Sequence, residues 1–325
     1  VACIVGAICG HSFKEMLAGM IERLAASMEA VLILCTVGFL VSSFMASGAI
    51  PSLIVYGLDL LTPKLFLPVG CILCAIVGMA CGSSWTTTAT IGLAFLGIGA
   101  GLGIPAPITA GMIISGAYVG DKFSPLSDTT NLAAAVAETG LFDHVTAMVS
   151  TTGPTLLLSL ILYTILGLNV DTSAYDATVA EGIQEAFRGA FTISPILLLP
   201  IIVVIVMCIL RVPGLVGIAI SVATATIFMM IFQSTDIYGS RALGDIFNML
   251  HNGIVVETGN DVADSILGKA GGMNGTMWTI NLILLALAYG GALERCGCVE
   301  RLFGGLKHKI HSVGSLILAT LLTSI

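Results

Sequence analysis

Long apolar runs separated by short polar breaks dominate the chain. Ile196 to Leu210 carries no charge, and neither does Leu215 to Phe232. A helix needs about 20 largely apolar residues to cross the hydrocarbon. By that measure spans are predicted over approximately 28–47, 65–81, 88–102, 105–120, 146–168, 192–210, 213–232 and 276–294, with another begun at 312–325. So many runs exclude a signal peptide as their explanation. Residues 11–26 read differently. Phe13, Met16, Leu17, Met20, Ile21 and Leu24 recur at helical spacing beside Lys14, Glu15, Glu22 and Arg23, which predicts an amphipathic helix at the membrane surface. The stretch 169–191 reads as an acidic connector and 233–275 as the longest polar region. Val1 to Gly10 is apolar with no initiator Met, so the reading includes an N-terminal truncation. The expected fold is an all-α polytopic membrane protein of about ten transmembrane or re-entrant helical segments.

Composition agrees. Hydrophobic residues make up 57% of the chain and charged residues 10%, and the mean hydropathy is +1.05. A soluble domain carries roughly 25% charged residues, so this chain lacks the polar atoms for a water-facing surface. The net charge of −7 argues against a nucleic-acid partner, and much of it sits in connectors, at Asp171, Asp176, Glu181 and Glu185. Of the nine cysteines, Cys35, Cys71, Cys74, Cys81 and Cys208 lie inside apolar runs, where Cys behaves as a small hydrophobe. Cys71 and Cys74 form a C-x-x-C, but no second pair or nearby His completes a zinc site.

Orientation follows from the basic residues flanking the spans. Arg295, Arg301, Lys307 and Lys309 place 295–311 in the cytoplasm. Counting back puts 233–275 outside, Arg211 inside, 169–191 outside and Asp143-His144 inside. Counting forward, with Lys14 and Arg23 inside, puts 48–64 outside. Three apolar pieces then lie between residues 64 and 142. Either all three span, or two of them form a re-entrant hairpin, the preferred reading, with Gly82-Ser83-Ser84-Trp85-Thr86-Thr87 at its tip. A faint repeat supports this layout. Adding 249 maps Ser27–Ile50 onto Thr276–Val299, aligning Met28 with Met277 and Gly48 with Gly297; an offset of 244 sets Val69-Gly70 against Val313-Gly314. The segments after the two copies fall on opposite sides, as inverted repeats require. The expected organisation is a first repeat over 1–168 with hairpin and unwound helix, the connector 169–191, and a second repeat over 192–325. That second copy stops before a counterpart of the 82–87 break, so it reads as incomplete at the C-terminus.

Two polar clusters interrupt the apolar first half: Gly82 to Thr88, and Gly120-Asp121-Lys122-Phe123-Ser124-Pro125-Leu126-Ser127-Asp128-Thr129-Thr130-Asn131. Non-helical backbone survives at membrane depth only where it lines a cavity or is buried in protein. Pro125 removes a donor and disfavours helix at Ser124, so 120–128 is expected to unwind. Freed carbonyls and the oxygens of Ser83, Ser84, Thr86, Thr87, Ser124, Ser127, Thr129, Thr130, Asn131, Asp121 and Asp128 make a hard-cation ligand set suited to Na+. Gly82, Gly120, Pro125 and Trp85 are the structural residues of the breaks, and Lys122 pairs with Asp121, leaving Asp128 as the proton carrier. The plainer alternative is a surface loop in which Asn131 or Asp128 caps the next helix.

At these residues the chain resembles the NhaC family of Na+/H+ antiporters. The resemblance runs through Gly82 to Thr87, Gly99 to Pro107, Gly116 to Ala133, Leu141-Phe142-Asp143-His144, Asn252-Gly253, Thr258-Gly259, Gly271-Gly272-Met273, Met277-Trp278-Thr279 and Gly290 to Glu294. It implies a multi-pass bacterial or archaeal plasma-membrane antiporter with inverted repeats and a hairpin, and no cofactor beyond the transported Na+ and H+. Some members similar to this chain exchange carboxylates such as malate and lactate together with those ions. Ser84 and Thr86 stand where the family commonly has Thr or Gly variants. Besides the lipid bilayer, a homodimer partner is left open.

Rival classes fare worse. Gly120-Asp121 lacks the first glycine of the G-x-G-D of intramembrane aspartyl proteases, because position 118 is Tyr, and Tyr175-Asp176 lies in the connector. No H-E-x-x-H surrounds His11, His144, His251, His308 or His311. A channel needs a pore lined by rings of like residues from several subunits, whereas the repeat favours alternating access. A carboxylate exchanger needs a cation or helix N-termini at depth. Lys122 is the only internal cation in the break regions, which favours Na+/H+ exchange.

Overall fold

The computed structural model describes residues 2–8, 10–81, 84–124, 127, 129–130, 133–134, 139–169, 177–210, 212–268, 270–298, 301 and 314. Among these residues the chain is helical, without strands. In order the helices are α1 Ala2–Ile8, α2 Phe13–Ala26, α3 Met28–Ala46, α4 Ala49–Leu60, α5 Pro63–Cys81, α6 Ser84–Thr87, α7 Leu93–Gly101 and α8 Ala106–Phe123. Then follow α9 Leu141–Leu168, α10 Ala177–Ala190, α11 Leu199–Ile209, α12 Gly214–Phe232, α13 Thr235–Tyr238, α14 Leu243–Asn252, α15 Asp261–Leu267 and α16 Gly272–Arg295. A π-helical segment, Thr88–Gly92, joins α6 to α7, and a 3-10 turn, Pro195–Leu198, precedes α11. Among the described residues three helices are long and apolar enough to cross a membrane alone: Leu141–Leu168, Leu215–Phe232 and Gly272–Arg295. The chain is an all-α, multi-pass membrane protein. Packing divides it into two units, Val1–Leu32 with Met277–Ile325, and Ile33–Thr276.

In the first unit the expected amphipathic helix is α2. Ser12 caps it, its side chain accepting from the Glu15 N–H at 3.3 Å while the Glu15 carboxylate accepts from the Ser12 N–H at 3.1 Å. Met16 and Gly19 face inward, and Phe13, Leu17 and Ile21 face outward. Gly19 meets Gly291 backbone to backbone, with no room for a Cβ on either. Beside that contact Arg23 pairs with Glu294 at 2.6 Å and Arg295 with Glu22 at 3.2 Å. All four side chains are half exposed or more, so the pairs fix register more than they stabilise.

The second unit holds the core. The pair α5 and α8 decides its layout. Gly70 packs on Met112, Cys71 and Cys74 on Gly116, and Ala75 and Met79 on Gly120. Both sequences advance together, so the two helices run parallel. The contact is close because small residues line it: a Cβ on Gly78 would stand 2.8 Å from the Ala117 carbonyl oxygen, and one on Gly120 2.7 Å from the Met79 nitrogen. The intervening α6–α7 stretch runs back along α5, bringing the rings of Phe66 and Phe95 to 5.9 Å. That antiparallel pairing fits the hairpin expected from the sequence; of its expected tip, 82–87, residues 84–87 form α6, and residues 82–83 lie outside the described residues. Helix α9 joins the pair at its C-terminal half, where the Tyr163 and Ser115 hydroxyls lie 2.9 Å apart and Gly167 meets the Lys64 carbonyl.

Three sequence expectations need correction. Residues 48–64 are not an external loop: α4 is a buried helix whose Ile54 and Leu58 pack on Gly97 and Gly101. Residues 233–275 are not a solvated region either. They fold into α13, α14 and α15, and place Ile237, Ile246, Met249, Leu250, Ile254, Ile266 and Leu267 in the core. Their short amphipathic helices average an apolar face with a polar one, which lowers hydropathy without implying exposure. Within the connector, Ala180, Ile183 and Phe187 form the buried face of α10, while Glu181 and Glu185 are exposed. Asp171 and Asp176 lie outside the described residues. The chain then turns by 91° between Ala180–Ala190 and Pro195–Met207. The Gln233 amide closes the neighbouring breaks, donating to the Ser47 and Thr192 carbonyls at 3.0 and 3.1 Å and accepting from the Thr192 N–H at 3.0 Å.

The aligned glycines behave alike. Gly48 and Gly297 both take the left-handed conformation that ends a helix, with φ of 80° and 65°. Around the first, Ser47 N–H donates to Ser43, Gly48 to Met45 and Ser52 to Gly48; around the second, Cys296 donates to Ala292, Gly297 to Glu294 and Arg301 to Gly297. Each of these bonds maps onto its counterpart by the offset of 249 read from the sequence.

Candidate functional site

Because α5 and α8 run parallel, they end at the same place, and the two polar clusters follow those ends. A Cβ on Gly78, near the end of α5, would lie 3.4 Å from the backbone nitrogen of Asp121. The clusters, some 40 residues apart in sequence, are thus neighbours in space.

Helix α8 persists to Phe123, so unwinding starts at Ser124 rather than at Gly120. The reason is local. Proline excludes the helical region for the residue before it, and Ser124 is extended, with φ −82° and ψ 123°. Residues earlier than Ser124 feel no such restriction. The last turn is finished by side chains: the Asp121 carbonyl accepts from Ser124 N–H and from the Thr130 hydroxyl, both at 3.2 Å, and the Lys122 carbonyl accepts from Thr130 at 3.4 Å. Asp121, Ser124, Ser127 and Thr130 are all buried, at 6% exposure or less.

Asp121 and Lys122 are linked through Thr129 rather than directly. The Thr129 hydroxyl donates to Asp121 Oδ2 at 3.4 Å, accepts from Lys122 Nζ at 3.4 Å and lies 3.0 Å from Ser127 Oγ. Ser127 Oγ in turn accepts from the Thr130 N–H at 3.4 Å. The three ion pairs among the described residues all lie elsewhere.

At the other cluster the expected break is helical in its described part. Ser84 and Thr87 are buried and Trp85 is half exposed. The Thr88 hydroxyl donates to the Ser84 carbonyl at 2.8 Å, and the π-helical turn follows at once. Such turns accommodate an extra residue and concentrate at functional sites. Gly82, Ser83, Pro125, Asp128 and Asn131 lie outside the described residues, as does the side chain of Thr86.

Of the packing residues behind the site, Gly120 was among the candidates, whereas Gly70, Gly78 and Gly116 were missing from them. Their signal was present: Gly116-Ala-Tyr-Val-Gly120 is a G-x-x-x-G, the pattern that lets two membrane helices touch backbones. Facing it, Cys71 and Cys74 are buried packing residues. Among the described residues no group of His, Cys, Asp and Glu could hold a transition metal. The chemistry assembled here is hydroxyl, carbonyl and carboxylate oxygen, which suits a hard cation.

Comparison with known proteins gives a consistent result. The profile of the "Na+/H+ antiporter family" matches residues 116–325. The chain is 34% identical over its whole length to a malate-2H+/Na+-lactate antiporter of Bacillus subtilis, covering 68% of that protein. It is 35% identical to the Na+/H+ antiporter NhaC of Alkalihalophilus pseudofirmus, covering all of this chain and 69% of that one. It is 36% identical over 96% of its length to the arginine/ornithine antiporter ArcD of Halobacterium salinarum, of which it covers 64%. The chain thus spans about two thirds of the length of these relatives. No solved structure matches it.

Proposed function

Since this chain belongs to the Na+/H+ antiporter family, we propose that it exchanges Na+ for H+ across the bacterial or archaeal plasma membrane by alternating access. It is a transporter, and its reagents are the transported ions. The observation that carries the reading is the parallel packing of α5 and α8. A helix C-terminus carries roughly half a negative charge from its unpaired carbonyls. Parallel packing brings two such ends together beside the buried Asp121, whose carboxylate adds to their charge. That field favours a cation and disfavours a carboxylate.

Within this reading Ser83, Ser84, Thr86, Thr87, Ser124, Ser127, Thr130, Asn131, Asp121 and Asp128 supply oxygens, and a carboxylate among them takes either H+ or Na+. The coupling step is that competition. The matched geometry around Gly48 and Gly297 supports two inverted repeats, 1–168 and 192–325, joined at 169–191. Purified protein in liposomes loaded with a pH dye tests the function: an imposed Na+ gradient should drive proton movement of opposite sign. No proton flux under a Na+ gradient refutes it.

A second reading is kept because of the relatives' activities: Na+-coupled exchange of a small carboxylate. It predicts that labelled malate or lactate enters the same liposomes only with Na+ present. Arginine and ornithine belong in that assay as further arms.

A further inference from the structure

A threonine hydroxyl has one proton to give and two lone pairs to receive with. At Thr129 all three are engaged. The proton goes to Asp121 Oδ2, one lone pair takes the Lys122 ammonium, and Ser127, 3.0 Å away, must be the donor to the other. Nothing remains on that oxygen for a transported cation. Thr129, although it stands among the cation-ligand candidates, therefore cannot ligate without first releasing Lys122 or Ser127.

What the hydroxyl does instead follows from its position. Lys122 carries a long flexible chain one residue from a buried carboxylate, and a direct ion pair is its electrostatic preference. Coulomb attraction falls inversely with distance, so inserting one hydroxyl between the charges roughly halves it. Asp121 shows that inserted hydroxyl and no ion pair within 4.0 Å among the described residues. We infer that Thr129 is a spacer, a positioning residue that holds the Lys122 ammonium one hydroxyl away from Asp121 and so keeps that carboxylate open to Na+. This inference rests on the Na+/H+ reading.

The spacer and ligand roles give opposite answers in a double-mutant cycle. Thr129→Val keeps the shape and removes the hydroxyl, and Thr129→Ala repeats the test with a smaller side chain. In either, Lys122 closes on Asp121 and competes with Na+, raising the Na+ Kd and the transport KM about tenfold. Thr129→Ser should restore both. Adding Lys122→Gln to Thr129→Val removes the competitor, so the Na+ Kd should return to that of Lys122→Gln alone. A lost ligand would stay lost in the double variant, and that result overturns the inference. So does a Thr129→Val protein with wild-type Na+ affinity. Binding is read by the Na+ dependence of Tm in detergent, independently of flux. A wild type that binds Na+ without exchanging it overturns the Na+/H+ reading alone, and the cycle is then scored on Kd. A wild type that does not bind Na+ overturns both.

Discussion

Replacing Gly120 by alanine should leave a folded protein with a damaged ion site. Gly120 lies in the contact between α5 and α8, and a Cβ there would meet the Met79 nitrogen at 2.7 Å and the Gly78 carbonyl carbon at 2.9 Å, besides the Ala75 carbonyl oxygen. All three are backbone atoms of α5, so no side chain can rotate away. Ordinary contact begins at 3.4 Å, and in a close-packed interior the helices must separate by more than about 0.7 Å to reach it, because the Ala75 carbonyl oxygen stands closer than the Met79 nitrogen. Overpacking of this kind costs about 1–3 kcal/mol, partly offset by the better helix propensity of alanine, about 1 kcal/mol. The net loss leaves the fold intact. The site fares worse, because Asp121 is the next residue and its link to Thr129 is already 3.4 Å long. Functional constellations tolerate about 0.5 Å, so the apparent Na+ affinity should fall at least about tenfold. Gly111 on the same helix is the control. Its Cβ would meet only the Tyr163 hydroxyl, at 3.5 Å, so Gly111→Ala should keep wild-type exchange and gain slightly in Tm. Both variants are measured by Na+-driven proton flux in liposomes, with monodispersity and Tm as folding controls. A Gly120→Ala protein with wild-type Na+ KM, or a Gly111→Ala protein equally impaired, would refute the packing argument.

Other outcomes test separate parts of the reading. Asp128→Asn should abolish exchange and the proton released on Na+ binding, counted by calorimetry in buffers of different ionisation enthalpy; release that persists moves the proton to Asp121. Leu60 is 82% exposed at the end of α4, and the repeat offset pairs it with Lys309. Cysteines at these two positions should react with an impermeant maleimide from opposite sides, and labelling from one side only would dismiss the inverted repeat. Thr258 donates to the Asp264 carboxylate from its hydroxyl at 2.7 Å and its N–H at 2.8 Å, holding that group below the ordinary 3.8. A depressed carboxylate contributes its stability above the unfolded value and loses it as pH falls through the folded one. Hydrogen exchange at residues 257–260 should therefore accelerate only below about pH 4, and Asp264→Asn should make it fast at every pH; a wild-type profile in the variant would count against the cap.

Much of the fold was legible because hydropathy acts on whole segments. Apolar runs became α9, α12 and α16, and the helical spacing from Phe13 to Leu24 became α2. What misled was averaging. Residues 243–267 alternate buried Ile246, Met249 and Leu250 with exposed Leu243, Phe247 and Asn248, so their mean falls to that of a loop while one face packs fully. The two hydroxyl clusters of the candidate site were legible in the sequence, and the packing that brings them together was not. Hydroxyl clusters announce themselves in an apolar chain, but the packing of Gly70 on Met112, Gly78 on Ala117, Gly116 on Cys71 and Cys74, and Gly120 on Ala75 and Met79 is a tertiary pattern spread over some 50 residues. The link between Asp121 and Lys122 failed for a different reason. Adjacent helical residues diverge around the axis, and because α8 persists to Phe123, both residues stay on it. A side chain from beyond the break, Thr129, then bridges them.

The same persistence of α8 determines what kind of site this is. An early unwinding at Gly120 would have scattered the carbonyls of the last turn and left Asp121 on flexible backbone. With the helix intact to Phe123, the carbonyls of Asp121 and Lys122 are aligned with the axis and engaged by Thr130, and the carboxylate stands on a rigid element pressed against α5. Rigidity matters because selectivity for a small ion among oxygens depends on ligand number and spacing rather than on charge alone. Ser124, extended ahead of Pro125, ends that rigid element, because proline excludes helix for the residue before it. The arrangement thus sets a buried carboxylate on the last turn of a helix that meets its neighbour backbone to backbone at Gly78 and Gly120. Alternating access depends on such a fixed reference, since an ion that is bound without one is not selected.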